Sequence, residues 1–399
     1  MIYVSTLIPI FACNILAPYN LVQGLMDITN IVIQTLFWSL GFVFLFKIPG
    51  CKSNMSETSS YPSVSIVIPA RNEEKTLPIL LASLKNQRFT ADEVIVIDDN
   101  SEDKTRQVAV NEGARVIQSK PLPEKWTGKP WACYQGAKVA KGEILIFMDA
   151  DTSIEKDGLK RIMDTYMKKD GVISIQPYHK TRKLYEQFSA FFNVIVMGAM
   201  GPFTMLGNLV KPIGLFGPCI VMKREYYFKI GGHRDVKSEV IEDIALGARF
   251  RKQKIATYCY GGKGTISFRM YPNGIGELLS GWSKGFTMGA VKTPLPLLLA
   301  IIAWIGGSIG TTRYLIQAMF NMDAILILLW TSLYLGYVVQ IYWMMFRVGT
   351  FKFYTALFYP IPLLFYLAVF SRSLVSTLFK RSVKWKGRTI TLKDRAPTE

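Results

Sequence analysis

The sequence predicts an α/β domain with a mostly parallel sheet, flanked by transmembrane helices. In the middle of the chain, short runs that are apolar at nearly every position, such as residues 64–68 and 93–97, alternate with helical patterns. Strands of this kind are buried on both faces, as in a parallel sheet covered by helices. Long uncharged apolar runs occur instead before residue 47 and after residue 293. Their length indicates membrane segments on both sides of the domain.

The first half of the α/β domain shows a regular succession of elements. Leucines spaced at i, i+3, i+4 and i+7 predict a helix over 73–87, which Asn72 could cap. Gly113 would end the next helix. The full predicted series is strand 64–68, helix 73–87, strand 93–97, helix 103–112, strand 114–118, helix 131–140 and strand 143–148.

The N-terminal apolar region predicts one or two retained membrane anchors. Residues 28–46 are apolar and uncharged and are long enough to cross a bilayer. Residues 3–20 form a second, weaker span or a signal-like segment, but no small-residue cleavage site follows them. The predicted divisions are an anchor at 1–47, a linker at 48–61, the α/β domain at 62–292, membrane segments at 293–372 and a basic tail at 373–399.

Three apolar runs follow the α/β domain, at 294–310, 323–346 and 353–371. The last contains Pro360 and Pro362 and is therefore predicted to be kinked or re-entrant. Three full crossings would place the basic tail opposite the α/β domain, whereas the positive-inside rule places it in the cytoplasm. One run is therefore predicted to be interfacial or a hairpin. We expect a multi-pass protein of the cell membrane with a cytoplasmic α/β domain.

Net charge and cysteine content indicate which kinds of partner and metal site to expect. The net charge of +18, together with apolar flanks, favours a membrane surface over nucleic acid, because no aromatic–basic motif of an RNA-binding module is present. The five cysteines are isolated, which fits a reducing compartment. Cysteine and histidine are not clustered as a structural zinc site would require.

Polar and acidic residues follow three of the predicted strands, where ligands of open α/β sheets bind. Aspartates two positions apart point to the same side, so the last pair could hold Mg²⁺ or Mn²⁺ bridging to a diphosphate. Lys129 could add positive charge to those phosphates, while the first two loops would hold a nucleobase and a ribose. The residues are Pro69, Arg71 and Glu73 after the first strand, Asp98 and Asp99 after the second, and Asp149 and Asp151 after the last.

The same acids have a purely structural interpretation, since acids often end strands as turn formers or helix caps. Two such pairs in one series favour a ligand site. Other nucleotide folds are disfavoured. ARNEE replaces G-x-G-x-x-G after the first strand, and Gly128-Lys129 precedes a proline and lacks the upstream glycine of a P-loop.

A third acidic group is Glu242-Asp243, at the predicted start of a helix. An acid in that place stabilises the helix dipole. Alternatively, it is a general base that takes the proton of an acceptor attacking a sugar.

These motifs together resemble the family 2 glycosyltransferases, which are nucleotide-sugar-dependent inverting enzymes with a GT-A fold. The resemblance implies that Asp98 and Asp99 bind base and ribose, and that Asp151 ligates the metal, with Asp149 at the sugar or metal. Asp243 would be the catalytic base, with Glu242 beside it. The motifs are SIVIPARNEE (65–74), VIVIDDNSEDKT (94–105), ILIFMDADT (144–152) and IED (241–243).

The resemblance to this family is less complete for the residues expected to contact the acceptor. Gly217 and Cys219 lie where the family forms its acceptor-side wall, and His233 either lines that site or is structural. Many membrane members carry Q-x-x-R-W, whereas this chain has ELLSGWSK (277–284). Trp282 could stack on sugar or acceptor, and Lys284 could replace the arginine. The departure disfavours processive polymer synthesis.

Further motifs resemble the bacterial carotenoid-acid glycosyltransferases, which make glycosyl esters of 4,4'-diaponeurosporenoate. The expected reaction is transfer of a sugar, with glucose as the first expectation, from a UDP-sugar to a lipid or carotenoid acceptor that enters from the membrane. Alternatives are a ceramide, sterol, diacylglycerol or polysaccharide acceptor, or a non-catalytic transporter or scaffold. The motifs are KWTGKPWACYQG (125–136), SIQPYHKT (174–181), YEQFSAFFN (185–193), GGH (231–233) and WKGR (385–388).

Overall fold

A computed structural model describes residues 4–53, 60–239, 241–283, 289, 292–380, 382–385 and 388–391, without the side chains of residues 4–23, 208 and 376–391. Its strands are β1 (Val64–Ala70), β2 (Glu93–Asp98), β3 (Arg115–Gln118), β4 (Ile144–Met148), β5 (Thr152–Ile154), β6 (Val172–Gln176), β7 (Tyr178–His179), β8 (Cys219–Lys223), β9 (Thr257–Gly261), β10 (Ile266–Phe268), β11 (Ser382–Trp385) and β12 (Arg388–Thr391).

The described helices first alternate with the strands and then continue as a group of long apolar helices. They are α1 (Val4–Phe44), α2 (Leu77–Lys85), α3 (Thr105–Asn111), α4 (Gly128–Val139), α5 (Gly158–Met167), α6 (Ala190–Ala199), α7 (Arg224–Lys229), α8 (Glu242–Lys252), α9 (Ile275–Trp282), α10 (Leu295–Phe320), α11 (Ala324–Val348), α12 (Phe353–Leu357) and α13 (Pro360–Lys380).

The central sheet has seven strands in the order β3-β2-β1-β4-β8-β6-β9. The pairs β2–β3, β1–β2, β1–β4 and β6–β9 are parallel, and β8 is antiparallel to both β4 and β6. Because β1, β2 and β4 run in the same direction, their carboxyl ends meet at one edge. A smaller sheet, β5-β10-β7, lies beyond the end of β4. This is the mixed, mostly parallel sheet that the sequence predicts.

Side chains of β1 alternate between two cores. Ile66 and Ile68 pack with the buried leucines of α2 on one face, and Val67 packs with α4 on the other. Gly136 lets α4 approach closely, because a Cβ there would lie 2.3 Å from Val67 Cγ1. This packing fixes the start of α4 beside the carboxyl ends of β1 and β4.

Two predicted helices begin elsewhere. Helix α2 begins at Leu77, not at residue 73, and Asn72 has a positive φ of 55° and does not cap it. Helix α4 begins at Gly128, three residues before the predicted start at 131. Thr127 is extended and Pro130 occupies the first turn, where its missing N–H costs nothing. Lys129 is therefore held on a helix, not in a loop.

Among the residues that the structure describes, three helical segments are long and apolar enough to cross a membrane: Gly24–Phe44, Leu295–Phe320 and Ala324–Val348. Helix α1 is continuous over 41 residues, or about 60 Å at ~1.5 Å per residue. The two predicted N-terminal segments therefore form one helix. The last predicted run is broken between α12 and α13, beside Pro360, and Pro360–Val375 is a shorter apolar stretch.

The segment between the apolar helices α11 and α13 is hydrogen-bonded to the α/β domain. The Thr350 N–H donates to the His179 carbonyl at 2.8 Å, and Gln187 Oε1 accepts from Lys352 N and Thr355 Oγ1. Part of the predicted linker is also fixed, since the Gly261 N–H donates to the Pro49 carbonyl. The domain and the membrane helices are thus joined by several direct contacts.

Candidate active site

One cavity of about 770 Å³ extends from the carboxyl ends of β1 and β4 to helices α10 and α13. Most site residues predicted from the sequence line it. Those that do are Pro69, Arg71, Glu73, Asp99, Lys129, Asp149, Asp151, Gly217, Glu242, Asp243 and Trp282.

The loops after β1 and β2 hold each other by hydrogen bonds. Arg71 Nη1 donates to the Asp99 carbonyl at 2.7 Å, and the Asp99 N–H donates to the Ala70 carbonyl at 2.8 Å. The Glu73 N–H donates to Thr105 Oγ1 at 2.7 Å. This bonding sets the Arg71 and Glu73 backbone at the cavity wall. Arg71 thereby supports the loop, as well as lining the cavity.

Asp98 and Asp99 differ in position. The Asp98 carboxylate is buried and accepts the Ser101 N–H at 3.1 Å, so it closes the turn and does not line the cavity. Asp99 is equally buried but contributes to the wall. Of the predicted base- and ribose-binding pair, only Asp99 is directed toward the candidate ligand space.

The end of β4 presents the second acidic pair. The Asp149 N–H donates to the Pro218 carbonyl, and the Thr152 N–H and Oγ1 both donate to the Asp149 carbonyl. This tight turn leads directly from β4 into β5. Asp149 and Asp151 are thereby held at the cavity wall by backbone contacts.

Lys129 contacts three carboxylates. Its Nζ lies 2.9 Å from Asp149 Oδ1, 3.5 Å from Glu242 Oε1 and 3.9 Å from Asp243 Oδ2. All four side chains are less than one third exposed. The first turn of α4, the end of β4 and the start of α8 therefore meet at a single ammonium group.

This cluster shifts the ionisation of its members. Burial alone would lower the pKa of Lys129, but the charges of Asp149, Asp243 and Glu242 outweigh burial and raise that pKa well above its usual value. Burial, followed by the charge of Glu242, raises the pKa of Asp243 well above that of an ordinary carboxyl group, and Lys129 offsets part of this. Asp243 is thus a stronger base than an exposed aspartate, as proton abstraction requires.

The start of α8 is held in position by close contacts with two glycines. A Cβ on Gly217 would lie 2.0 Å from Asp243 Oδ2, and one on Gly214 would lie 2.5 Å from Ile244 Cα. The Leu215 N–H donates to the Asp243 carbonyl at 3.3 Å. The loop before β8 therefore packs directly against the backbone and carboxylate of Asp243, and only glycine fits at 217 without displacing that carboxylate.

The other end of the cavity is apolar and is lined by α6 together with the apolar helices α10 and α13. Ile302 lines it and is 55% exposed, so the cavity reaches the outer surface of α10. The side chains at this end are Ile195, Val196 and Ala199 of α6, Leu298, Ile301, Ile302 and Ile305 of α10, and Tyr366, Leu367 and Phe370 of α13.

Trp282 lies between the two ends. Its Nε1 donates to Ser189 Oγ at 3.0 Å, and its ring stacks on Phe192 with centroids 4.6 Å apart. Tyr271, not predicted from the sequence, lines the cavity beside it and makes an edge contact with the Trp282 ring. Lys284 lies outside the described residues.

Two predicted acceptor residues do not line the cavity. Cys219 begins β8 opposite Met148 and is fully buried, because its side chain faces the sheet core. His233 is buried beside Phe147 and pairs with the Tyr227 hydroxyl at 2.9 Å, and burial lowers its pKa to about 3. The prediction that these two residues line the acceptor site is therefore wrong, since Cys219 packs in the sheet core and His233 packs beside Phe147 and Tyr227.

Carboxylates outnumber cations at the polar end of the cavity. Among the described lining residues, seven carboxylates face two cations, Arg71 and Lys129. No described group of three acidic, histidine or cysteine side chains could hold a metal by itself. Asp149 and Asp151 are hard oxygen donors that fit Mg²⁺ or Mn²⁺, with diphosphate and water as the remaining ligands. The residues present therefore fit a divalent ion that binds together with a nucleotide.

Comparison with known proteins agrees with this geometry. Residues 65–230 match the model of Glycosyl transferase family 2. The chain is 34% identical, over 82% of its length and 88% of the relative, to 4,4'-diaponeurosporenoate glycosyltransferases of Staphylococcus aureus strains USA300 and MRSA252. It also resembles the mannosyltransferase PcManGT from Pyrobaculum calidifontis, solved with GDP-Man and Mn²⁺, at a TM-score of 0.51 and 16% identity, over 88% of this chain and 96% of that one.

The fold and the acidic cleft define a glycosyltransferase of the GT-A type, flanked by apolar helices. The chain belongs to glycosyl transferase family 2.

Proposed function

We propose that the protein is an inverting transferase that moves a hexose, glucose in the first instance, from a UDP-sugar to a membrane-soluble lipid acceptor with a terminal carboxylate, such as a carotenoid acid. The observation that carries this proposal is the continuity of the cavity. Its polar end gathers the acids that follow β1, β2 and β4 and the acids that begin α8, and its apolar end is lined by α6, α10 and α13. A donor and a lipid can therefore meet inside one space.

The polar end would hold the donor. Asp99 and the loop containing Arg71 would contact the nucleoside, and Asp149 and Asp151 would hold a divalent ion. When bound, that ion would stabilise the leaving diphosphate. The related mannosyltransferase fold was solved with a nucleotide sugar and Mn²⁺, which supports a metal-assisted donor site.

Asp243 would act on the acceptor. Its carboxylate lies against Gly217 and within 3.9 Å of Lys129, and it lines the same cavity as the apolar side chains of α6, α10 and α13. It would accept the proton of the acceptor's carboxyl group as an oxygen of that group attacks the sugar from the face opposite the diphosphate, which leaves as UDP. Attack from that face inverts the anomeric carbon.

The apolar end would hold the acceptor chain. Aliphatic and aromatic side chains of α6, α10 and α13 line it, and hydrophobic burial would stabilise a long hydrocarbon there. The named function of the S. aureus relatives supports a carotenoid carboxylate as the first acceptor to test. Ceramide, sterol and diacylglycerol would share the apolar part but present a hydroxyl group instead.

The test is nucleotide release by purified protein in detergent, with UDP-glucose, other UDP-sugars or GDP-mannose, Mn²⁺ and a panel of lipid acceptors. We expect metal-dependent turnover with UDP-glucose and a carotenoid acid, and a glycosyl ester as the product detected by mass spectrometry. Turnover only with a hydroxyl lipid would reject the acceptor, and turnover only with GDP-mannose would reject the donor. Folded protein that turns over none of these would reject the transferase assignment of the cavity.

A further inference from the structure

A short segment of the α/β domain exposes an unusual amount of apolar surface. It is the loop between α6 and β8, here called the 203–210 loop, which includes a single helical turn at Gly207–Leu209. Met205, Leu206 and Leu209 are 58%, 62% and 86% exposed. Surface leucines are common singly, but consecutive exposure of this kind marks an interaction site.

The loop is bonded to the end of a candidate membrane span. The Phe46 and Lys47 N–H groups both donate to the Phe203 carbonyl, at 2.7 and 3.1 Å, and the Met205 N–H donates to the Val43 carbonyl at 3.1 Å. Val43 and Phe46 are themselves exposed apolar residues at the end of α1. The apolar surface of the loop therefore continues the outward-facing apolar surface of the span.

The level of the loop along the membrane helices is also fixed. A Cβ on Gly198, in the last turn of α6, would lie 2.5 Å from Phe44. Arg347, at the end of α11, donates to the Leu45 carbonyl at 3.4 Å. The ends of α1 and α11 and the base of the loop thus share one level, where a bilayer would pass from its acyl region to its headgroups.

Charge at this level matches a bilayer boundary. Lys47 follows the span and Lys211 follows the loop, and both are exposed. Lysines flanking an apolar segment can extend their ammonium groups to lipid phosphates while their stems stay in apolar surroundings. An apolar tip flanked by two such lysines is the pattern of a segment that inserts into one leaflet.

We propose that the 203–210 loop inserts into the same leaflet in which α1 ends, with Met205, Leu206 and Leu209 among the acyl chains. The inference concerns a surface and holds whether or not the proposed acceptor is right. Its consequence for the cavity is direct, because Met200 and Ile213, on either side of the loop, both line the cavity. Insertion of the loop would bring the part of the cavity lined by Met200 and Ile213 to the level of the acyl chains. A lipid could then pass from the bilayer into the cavity without crossing water.

The test uses an environment-sensitive dye on Leu209→Cys in the full chain reconstituted in phosphatidylcholine vesicles. Ile79→Cys is the matched control, since Ile79 is an exposed apolar residue on α2 in the same domain. The parent chain, whose described cysteines are all buried, is labelled in parallel as a blank. Both substituted side chains are largely exposed, so neither change should disturb folding.

We expect the dye at 209 to lose most of its emission when the vesicles contain lipids with a nitroxide on the acyl chain, and to be shielded from iodide in the water. The dye at 79 should show the opposite behaviour. A dye at 209 that is quenched by iodide as readily as the dye at 79 would overturn the proposal. So would a dye at 209 shielded from both quenchers, which would instead indicate contact with protein, such as a second copy of the chain.

Discussion

The two ends of the cavity are built in different ways. The polar end is assembled from short loops directly after β1, β2 and β4 and from the first turns of α4 and α8, all tied by hydrogen bonds and ion pairs. The apolar end is formed by α6, α10 and α13, which are distant from one another in sequence. The side chains that line this end are apolar and contact one another by packing alone. Changes at the polar end should therefore lower the rate of sugar transfer and leave the affinity for the acceptor nearly constant. Changes at the apolar end should weaken acceptor binding and leave the reaction of the donor nearly constant.

The largest effect is expected for Asp243→Asn. Without the Asp243 carboxylate, transfer to an acceptor with a carboxyl or hydroxyl group should fall by about two to four orders of magnitude, with donor affinity retained. Initial rates and donor binding measured by calorimetry would check this. Asp170→Asn, at an exposed carboxylate far from the cavity, is the matched control. Unchanged transfer in Asp243→Asn would show that the base lies elsewhere.

Gly217→Ala is expected to have the second-largest effect on the rate of transfer. The added Cβ would lie 2.0 Å from Asp243 Oδ2, so the carboxylate must move, and a displacement of about 1 Å can cost about a hundredfold in rate. We expect kcat to fall with little change in donor KM. Gly276→Ala is the control, since nothing lies within 4 Å of its Cβ. Equal activity of both variants would mean that the position of Asp243 is not critical.

Lys129→Met tests the charge balance of the polar end. Removal of the ammonium leaves three carboxylates facing one another, and the free energy of unfolding should fall by about 2 kcal/mol. Addition of Mn²⁺ should restore part of the loss, because the ion would replace the missing charge. Thermal unfolding with and without Mn²⁺ measures both, and Lys223→Met, at an exposed pair, should change little. If Mn²⁺ stabilises neither the parent nor the variant, the proposed metal site is wrong.

Ala199→Trp is the smallest predicted effect and addresses the apolar end. The indole would fill part of the space between α6 and α10, and we expect KM for the lipid to rise about tenfold, equivalent to 1.4 kcal/mol. Slow donor hydrolysis without acceptor should not change. Ile309→Trp, on the exposed side of α10 and outside the cavity lining, is the control. A loss of hydrolysis together with transfer would contradict the separation of the two ends.

The same contrast explains what the sequence could predict. Acids after β1, β2 and β4 were placed correctly at the cavity because strand ends are local features and parallel strands end at one edge. Asp98 could not be separated from Asp99 in this way, since which side chain closes the turn depends on the Ser101 N–H. Cys219 was misplaced because the face of an antiparallel strand is set by its register with β4, which has no local signal.

The apolar end could not be predicted residue by residue. Ile195, Ile302 and Tyr366 belong to three apolar stretches in which the sequence does not distinguish lining from lipid-facing or core positions. Only the packing of α6, α10 and α13 shows which residues of these stretches line the cavity. The start of α4 likewise differs from the predicted start at residue 131, since Pro130 lies in the first helical turn, where a proline is tolerated.

The central claim is that one cavity holds donor and lipid together, and photo-crosslinking tests it most directly. The probe is an apolar chain with a carboxylate at one end and a diazirine at the other, added with UDP and Mn²⁺ and competed with unlabelled acceptor. We predict competable crosslinks to the lining residues of α10 and α13, around Ile302 and Tyr366. Crosslinks confined to other helices, or unaffected by competitor, would contradict the claim.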